Sequence, residues 1–175
     1  MAAHTLTAPS RGVLRAWGFA LAAASVVLPA LPLGPLFAQP PMPLAVLWAA
    51  YGWATEDESN WRAPTALLLL GLVHDQMAGG PFGLFPALYL SAFLVGRVFA
   101  VLMSAPNIVS LWGGFIATAL ITVLIAMLIA PWALGENMSV RPYAEAAGIT
   151  AILFPLVRPL YMSGGVSHRA TGLKR

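Results

Sequence analysis

The sequence predicts an all-α integral membrane protein with six transmembrane helices in a single domain. Hydrophobic residues make up 59% of the chain and charged residues 9%, against about 45–50% and about 25% in soluble domains. The mean hydropathy is +0.81. At about 20 residues per span, 175 residues allow five or six helices with short loops, and they leave no room for a second domain.

Six apolar segments can be recognised between polar or proline-rich turns. We predict one span in each, over about 16–37, 42–55, 64–78, 84–103, 109–134 and 143–162. In the fourth segment Ala92, Gly96, Ala100 and Ser104 recur every four residues, a spacing typical of closely packed helices in lipid. In the second, Trp48, Tyr51 and Trp53 are interpreted as an interfacial aromatic belt.

The first segment has a second interpretation. Arg11 and Arg15 before an Ala- and Leu-rich run also fit a signal peptide. The best cleavage position, after Ala38, has the bulky Leu36 at its −3 position, whereas signal peptidase sites favour small residues there. We therefore interpret the segment as the first span.

The basic residues are unevenly divided between the two sides of such a bundle. One side carries Arg141, and the side that holds both termini carries Arg11, Arg15, Arg62, Arg169, Lys174 and Arg175. Cytoplasmic loops are enriched in Lys and Arg. Both termini are therefore predicted to be cytoplasmic.

Residues 71–84 form the most distinctive stretch of the chain. Gly71, Asp75 and Gly79 are spaced at i, i+4 and i+8, so they share one helix face, and Pro81 and Gly83 then end the helix. The two glycines are predicted to let a neighbouring helix approach closely. The intervening carboxylate would be costly in hydrocarbon without a partner or a proton.

Two arginines within apolar segments, Arg97 and Arg158, are candidate partners of that carboxylate. At 1.5 Å per residue, Asp75 lies about 16 Å and Arg97 roughly 9 Å above the cytoplasmic surface. An extended arginine can bridge the difference. We therefore expect Asp75 to have a packed, hydrogen-bonded or ion-paired role at a helix junction, and we hypothesise that it ties the third and fourth spans together, with Arg97 or Arg158 as its partner. The alternatives for Asp75 are direct handling of protons or ions and contact with a partner or ligand. Each arginine could instead snorkel to the interface.

Motifs for catalysis or for metal binding are not recognised in the sequence. The chain has no cysteine, no Walker-type loop and no serine with a histidine and a carboxylate at plausible reach. His74 has no second ligand at metal-binding spacing and is interpreted as a packing or interface residue. We therefore expect no enzymatic activity, no cofactor and no metal; the product of this protein is expected to be an interaction.

Two local patterns, together with the length and the number of spans, carry a family resemblance. One is a proline followed by an apolar run to a tyrosine, from Pro41 to Tyr51, and the other is Gly-x-x-x-Asp-x-x-x-Gly-x-Pro-x-Gly from residue 71 to 83. In these the chain resembles the rod shape-determining protein MreD family. It departs from the family at Gln39 and Pro40, where an arginine is frequent before the span-two proline, and at His74 and Gln76, where aliphatic residues are preferred.

The resemblance implies a scaffold in the bacterial inner membrane that serves cell shape and lateral peptidoglycan synthesis. Such proteins bind the membrane protein MreC, and through it they connect the MreB filament with a RodA-type glycosyltransferase and its partner transpeptidase. No nucleic-acid partner is implied.

The family is also similar to the membrane substrate-binding subunits of energy-coupling-factor transporters, so a vitamin-like ligand is the alternative function. Such a ligand needs converging polar groups. The predicted outer loops offer few beyond Glu136, Asn137, Arg141 and Glu145, so we favour the scaffold. A small membrane enzyme is a third possibility, which would need polar residues clustered in one leaflet.

Overall fold

The computed structural model describes residues 11–28, 44–56, 61–79, 81–103, 107–134 and 140–162, and all regular structure within these ranges is helical. The helices are α1 (Arg11–Val27), α2 (Ala45–Thr55), α3 (Arg62–Ala78), α4 (Leu84–Leu102), α5 (Ile108–Leu134) and α6 (Val140–Tyr161). The prediction of an all-α fold with six helices is confirmed.

Most predicted segment bounds agree with these helices to within about five residues. The second half of the first predicted segment lies outside the described residues, as do Ser104, Glu136, Asn137 and the basic residues of the C-terminal tail. Within the part of the chain that the structure describes, two helices are long and apolar enough to cross a membrane, namely α4 and the part of α5 from Ile108 to Ile129.

The short helix α2 lies at the centre of the bundle. It contacts each of the other five helices, and only Trp53 and Thr55 among its residues are more than slightly exposed. Trp48 and Tyr51 are 2% and 0% exposed. The predicted interfacial belt on this helix is therefore wrong for these two residues, because α2 is surrounded by protein and its aromatic side chains fill the core.

Tyr51 and Tyr161 are the largest of the fully buried side chains in the described chain, and Tyr51 lies on the central helix. Its ring packs edge-on against Phe115 of α5 and Phe154 of α6, with ring centroids 5.6 Å apart in both pairs. Gly96 of α4 lies so close that an added Cβ would be 3.1 Å from the Tyr51 ring. The small residue predicted at this position of α4 thus provides the space for the central tyrosine.

A buried threonine fastens the start of α2 to α6. The Leu44 N–H donates to Thr150 Oγ1 at 2.8 Å, and Trp48 Nε1 donates to the Thr150 carbonyl at 2.7 Å. The hydroxyl itself donates to the Ala146 carbonyl at 2.5 Å. Thr150 therefore gives a partner to an N–H at a helix start, where intrahelical acceptors are lacking.

Candidate functional site

The conspicuous motif forms the hairpin between α3 and α4. α3 ends with Gly79 in the left-handed conformation, at φ 65°, and α4 follows Gly83, at φ 99°. Glycine adopts this region without the steric cost that a Cβ imposes. The Pro81 carbonyl accepts the Leu84 N–H at 3.3 Å, which closes the turn. The two glycines therefore reverse the chain direction between the helices.

Asp75 lies inside this hairpin, with only 2% of its surface exposed. Its Oδ2 accepts the Gly83 N–H at 2.5 Å, and its Oδ1 accepts the Phe85 N–H at 3.0 Å. The first N–H groups of a helix have no intrahelical acceptor, and the helix N-terminus carries a partial positive charge. The carboxylate of α3 therefore caps the N-terminus of α4, and this accounts for the burial of an acidic group.

Arg97 caps a different helix end. Its Nη1 donates to the carbonyls of Ala54 and Glu56, each at 3.1 Å. These carbonyls belong to the C-terminal end of α2, where the helix dipole is negative and acceptors lack intrahelical donors. The half-buried guanidinium thus joins α4 to the end of the central helix.

The predicted ion pair of Asp75 with Arg97 or Arg158 is wrong. An ion pair on an exposed turn of α6 joins Arg141 and Glu145 at 2.7 Å, whereas Asp75 and Arg97 bind backbone groups. Asp75 lies one turn before the end of α3 and reaches the start of α4, whereas Arg97 lies about 18 Å further along α4. Asp75 is therefore bound to the start of α4, and Arg97 to the end of α2.

The two glycines of the predicted packing face have different roles. An added Cβ at Gly71 would lie 2.5 Å from the Cα of Pro86 in α4, so Gly71 is the point of close approach. At Gly79 an added Cβ would meet nothing within 4 Å. The expectation that Gly79 permits helix contact is therefore wrong; its backbone conformation is what requires glycine.

His74 forms a second contact between α3 and α4. Its Nδ1 shares a hydrogen bond with the Tyr89 hydroxyl, and its ring stacks on Phe85 with centroids 3.7 Å apart and planes at 6°. This agrees with the prediction of a packing role. Among the residues that the structure describes, no group of three His, Cys, Asp or Glu side chains could hold a metal ion.

The structure thus brings Gly71, Asp75, Pro81 and Gly83 together with His74 in one hairpin. Tyr51 and Arg97 lie elsewhere, near the end of α2, and Arg158 lies in the last turn of α6. Phe85 and Tyr89 were not predicted as part of the site, although their i, i+4 spacing on α4 is a signal that they share one face. Thr150 was not predicted either, since no distinguishing pattern surrounds it in the sequence.

The polar side chains of Asp75 and His74 use their hydrogen-bonding atoms within the hairpin itself. Each oxygen of Asp75 accepts a backbone N–H, and the histidine nitrogen is bound to a tyrosine hydroxyl.

Comparison of the chain with protein-family models, curated proteins and solved structures finds no match.

Proposed function

We propose that this chain is a six-span protein of the bacterial inner membrane with both termini in the cytoplasm. The observation that carries this proposal is the distribution of apolar and polar side chains. Large apolar residues point outward on several helices, such as Leu94, Val101, Leu124 and Leu156, whereas soluble monomers seldom expose large apolar patches. The buried polar residues among those described are Asp75, Thr118, Thr122 and Thr150.

Each of these buried polar side chains is hydrogen-bonded within the helices. Thr118 and Thr122 donate to the carbonyls four residues earlier, and Asp75 and Thr150 bond across helix pairs. Unsatisfied polar groups are especially costly where no water can replace the missing partner. An apolar exterior around these satisfied side chains suits lipid as the surrounding medium; the buried hydroxyls of Tyr51 and Tyr161, by contrast, have no hydrogen-bond partner among the described residues.

Within that membrane we propose a non-enzymatic scaffold of the MreD type, which binds MreC and so supports rod shape and lateral cell-wall synthesis. MreB, the RodA-type glycosyltransferase and its transpeptidase would be connected indirectly. The family pattern at 71–83 supports the proposal, since its residues build a rigid hairpin whose outer faces stay apolar. Leu69 and Val73 of α3 and Leu94 and Val98 of α4 are exposed there, as a receiving surface for a single transmembrane segment requires.

The test is co-purification of MreC with the tagged full-length chain from solubilised membranes of cells that depend on this gene. We expect native chain to retain MreC and Asp75→Leu to lose it, with rounded, swollen cells. Gln76→Leu is the matched control, because Gln76 is the exposed neighbour, and it should behave like the native chain.

Two results would overturn the scaffold. One is intact MreC binding and rod shape with Asp75→Leu. The other is co-purification of the native chain with an ATPase pair and a small ligand in place of MreC, which would support the transport alternative.

A further inference from the structure

Several of the largest exposed side chains in the described chain are aromatic. Trp17, Trp61, Phe82 and Trp132 are exposed by 65%, 74%, 72% and 91%, and Trp112 by 39%. Trp61, Phe82, Trp112 and Trp132 lie within about one turn of a helix end, whereas Trp17, like the exposed Phe19, lies within α1.

Helix α5 carries one exposed tryptophan near each of its ends. Trp112 and Trp132 are separated by about 20 residues, and at 1.5 Å per residue by roughly 30 Å along the helix axis. The hydrocarbon core of a bilayer is about 30 Å thick. Between the two tryptophans the exposed positions Leu120, Leu124 and Leu128 are aliphatic.

The α3–α4 hairpin gives a second, independent spacing. Trp61 directly precedes α3, and Phe82 lies in the turn beyond its other end. From Trp61 to Gly79 the helix rises roughly 27 Å, and Phe82 lies in the turn that follows. Two separate parts of the fold therefore space exposed aromatic residues by nearly the thickness of the hydrocarbon core.

Chain order and one contact of α2 place Trp61 and the backbone of Trp112 towards the same end of the bundle. The connection from α2 to α3 holds Trp61, and α2 ends at Thr55. Tyr51, about one turn earlier, packs its hydroxyl against Gly114, two residues after Trp112.

Trp17 belongs to this same end. An added Cβ at the adjacent Gly18 would lie 3.0 Å from the ring of Tyr161, the last residue of α6. Tyr161 in turn packs directly on Gly52, which is near the end of α2. Exposed aromatic residues thus mark both ends of the bundle: Trp17, Trp61 and Trp112 at one, Phe82 and Trp132 at the other.

We propose that these two sets are girdles that hold the protein at the headgroup interfaces of a bilayer, with the span of α5 between Trp112 and Trp132 matching the hydrocarbon thickness. The inference rests on the proposed membrane location and adds the level at which the protein sits. Tryptophan suits this position because its ring is apolar while its N–H seeks a polar partner. Trp112 donates its Nε1–H to the Ala151 carbonyl at 2.8 Å, midway along α6, so its ring reaches inward from the start of α5 and it is the least exposed of the five residues.

The test measures the depth of single tryptophans in vesicles of phosphatidylcholine brominated either near the headgroup end or near the methyl end of the acyl chains. The background keeps the buried Trp48 and replaces the other five of the 6 tryptophans by phenylalanine: Trp17, Trp53, Trp61, Trp112 and Trp132. Trp61, Trp112 or Trp132 is then restored singly. Leu120→Trp and Leu124→Trp are matched mid-span controls, since both positions are exposed on α5.

We expect the restored tryptophans to be quenched more strongly by shallow than by deep bromines, and both mid-span controls to show the reverse. Deep quenching of Trp61, Trp112 or Trp132, or shallow quenching of both controls, would overturn the girdles while leaving the membrane location intact. No lipid quenching of any probe would instead overturn the proposed membrane location. If the background does not fold, the single changes Trp61→Phe and Trp132→Phe in the native chain should each remove part of the shallow quenching; no change in either would contradict the girdles.

Discussion

Asp75 illustrates how a charged residue can be accommodated in an apolar helix without a charged partner. Its carboxylate accepts two backbone N–H groups from the start of the next helix. Hydrogen bonds to an ionised acceptor are roughly twice as strong as neutral ones, and the helix N-terminus adds a favourable dipole. The acidic residue is therefore stabilised by a feature that every helix possesses at its first turn.

Replacement of Asp75 should destabilise the hairpin in proportion to the donors left unsatisfied. Asp75→Asn keeps one acceptor oxygen and the shape, so we expect a loss of about 1 kcal/mol, as for a weakened cap. Asp75→Leu leaves two buried N–H groups without a partner, at about 1–3 kcal/mol each. Unfolding of purified variants in detergent measures both; equal stability of the two variants would contradict the capping role.

The glycines of the motif should differ in their tolerance of a methyl group. Gly71→Ala places a Cβ against the Pro86 backbone and should cost several kcal/mol or prevent folding, since overpacking alone costs about 1–3 kcal/mol. Gly79→Ala meets open space and has only the left-handed backbone to accommodate, at about 1 kcal/mol. The yield of monodisperse protein on size exclusion should be lower for Gly71→Ala; the opposite order would refute this assignment.

For single residues, the sequence indicates that Asp75 is unusual, but it does not indicate which groups donate hydrogen bonds to its carboxylate. A carboxylate in an apolar helix identifies Asp75 as needing a partner. Its partners are backbone amides, which have no signature in a sequence, whereas the arginines are the opposite charges that a sequence displays. Similar depth along two helices does not bring two charged groups together, because each can bind a helix terminus that lies nearer to it.

At the scale of helices, α2 is held by polar groups that neighbouring helices bring to its two ends. Thr150 of α6 accepts an N–H at its start, and Arg97 of α4 donates to carbonyls at its end. The apolar run of α2 is compatible with either a buried helix or an interfacial one. Its central position depends on which helices surround it, and a single apolar segment does not encode that.

The hydroxyl of Thr150 should matter more than other buried hydroxyls. Thr150→Val leaves the Leu44 N–H without its acceptor, at a cost of about 1–3 kcal/mol. Thr122→Val is the matched control, because that hydroxyl only donates to the Thr118 carbonyl in its own helix, and its removal should be nearly neutral. Thermal unfolding in detergent distinguishes the two; equal losses would contradict the role of Thr150 in joining α2 to α6.

The two helix-end charges, Asp75 and Arg97, should act independently. They bind termini of different helices and lie about 18 Å apart along α4. In a double-mutant cycle of Asp75→Asn with Arg97→Met, the changes in unfolding free energy should therefore add to within about 0.5 kcal/mol. A larger coupling energy would indicate that the two side chains interact, as the sequence alone had suggested.

At the scale of the whole molecule, the number and order of the helices follow from the six apolar segments. The long segments were the most informative, since α4 and α5 each match their predicted bounds to within one residue. Orientation in a membrane depends on loops that carry the basic residues, and the described helices alone do not determine it.

The predicted orientation can be measured with reporter fusions. Fusions after Arg175 and within residues 56–62 should report the cytoplasm, and a fusion near Asn137 the periplasm, because Lys and Arg favour cytoplasmic loops. A shortened chain that ends after α3 provides the control for reporter sensitivity, since its end should report the periplasm. If the fusions at Arg175 and Asn137 both report the same side of the membrane, six spans are ruled out.

The bonds of Asp75 also bear on the order in which the chain assembles. They join residues 8 and 10 positions apart, whereas those of α2 to Thr150 join residues 106 and 102 apart. For a flexible chain, closing the longer loop costs about 2 kcal/mol more entropy. The α3–α4 hairpin can therefore close as soon as its own residues have been synthesised. The central helix α2 can form its bonds to Thr150 only after most of the polypeptide has been synthesised. The central helix is therefore among the last elements of the bundle to be fixed in position.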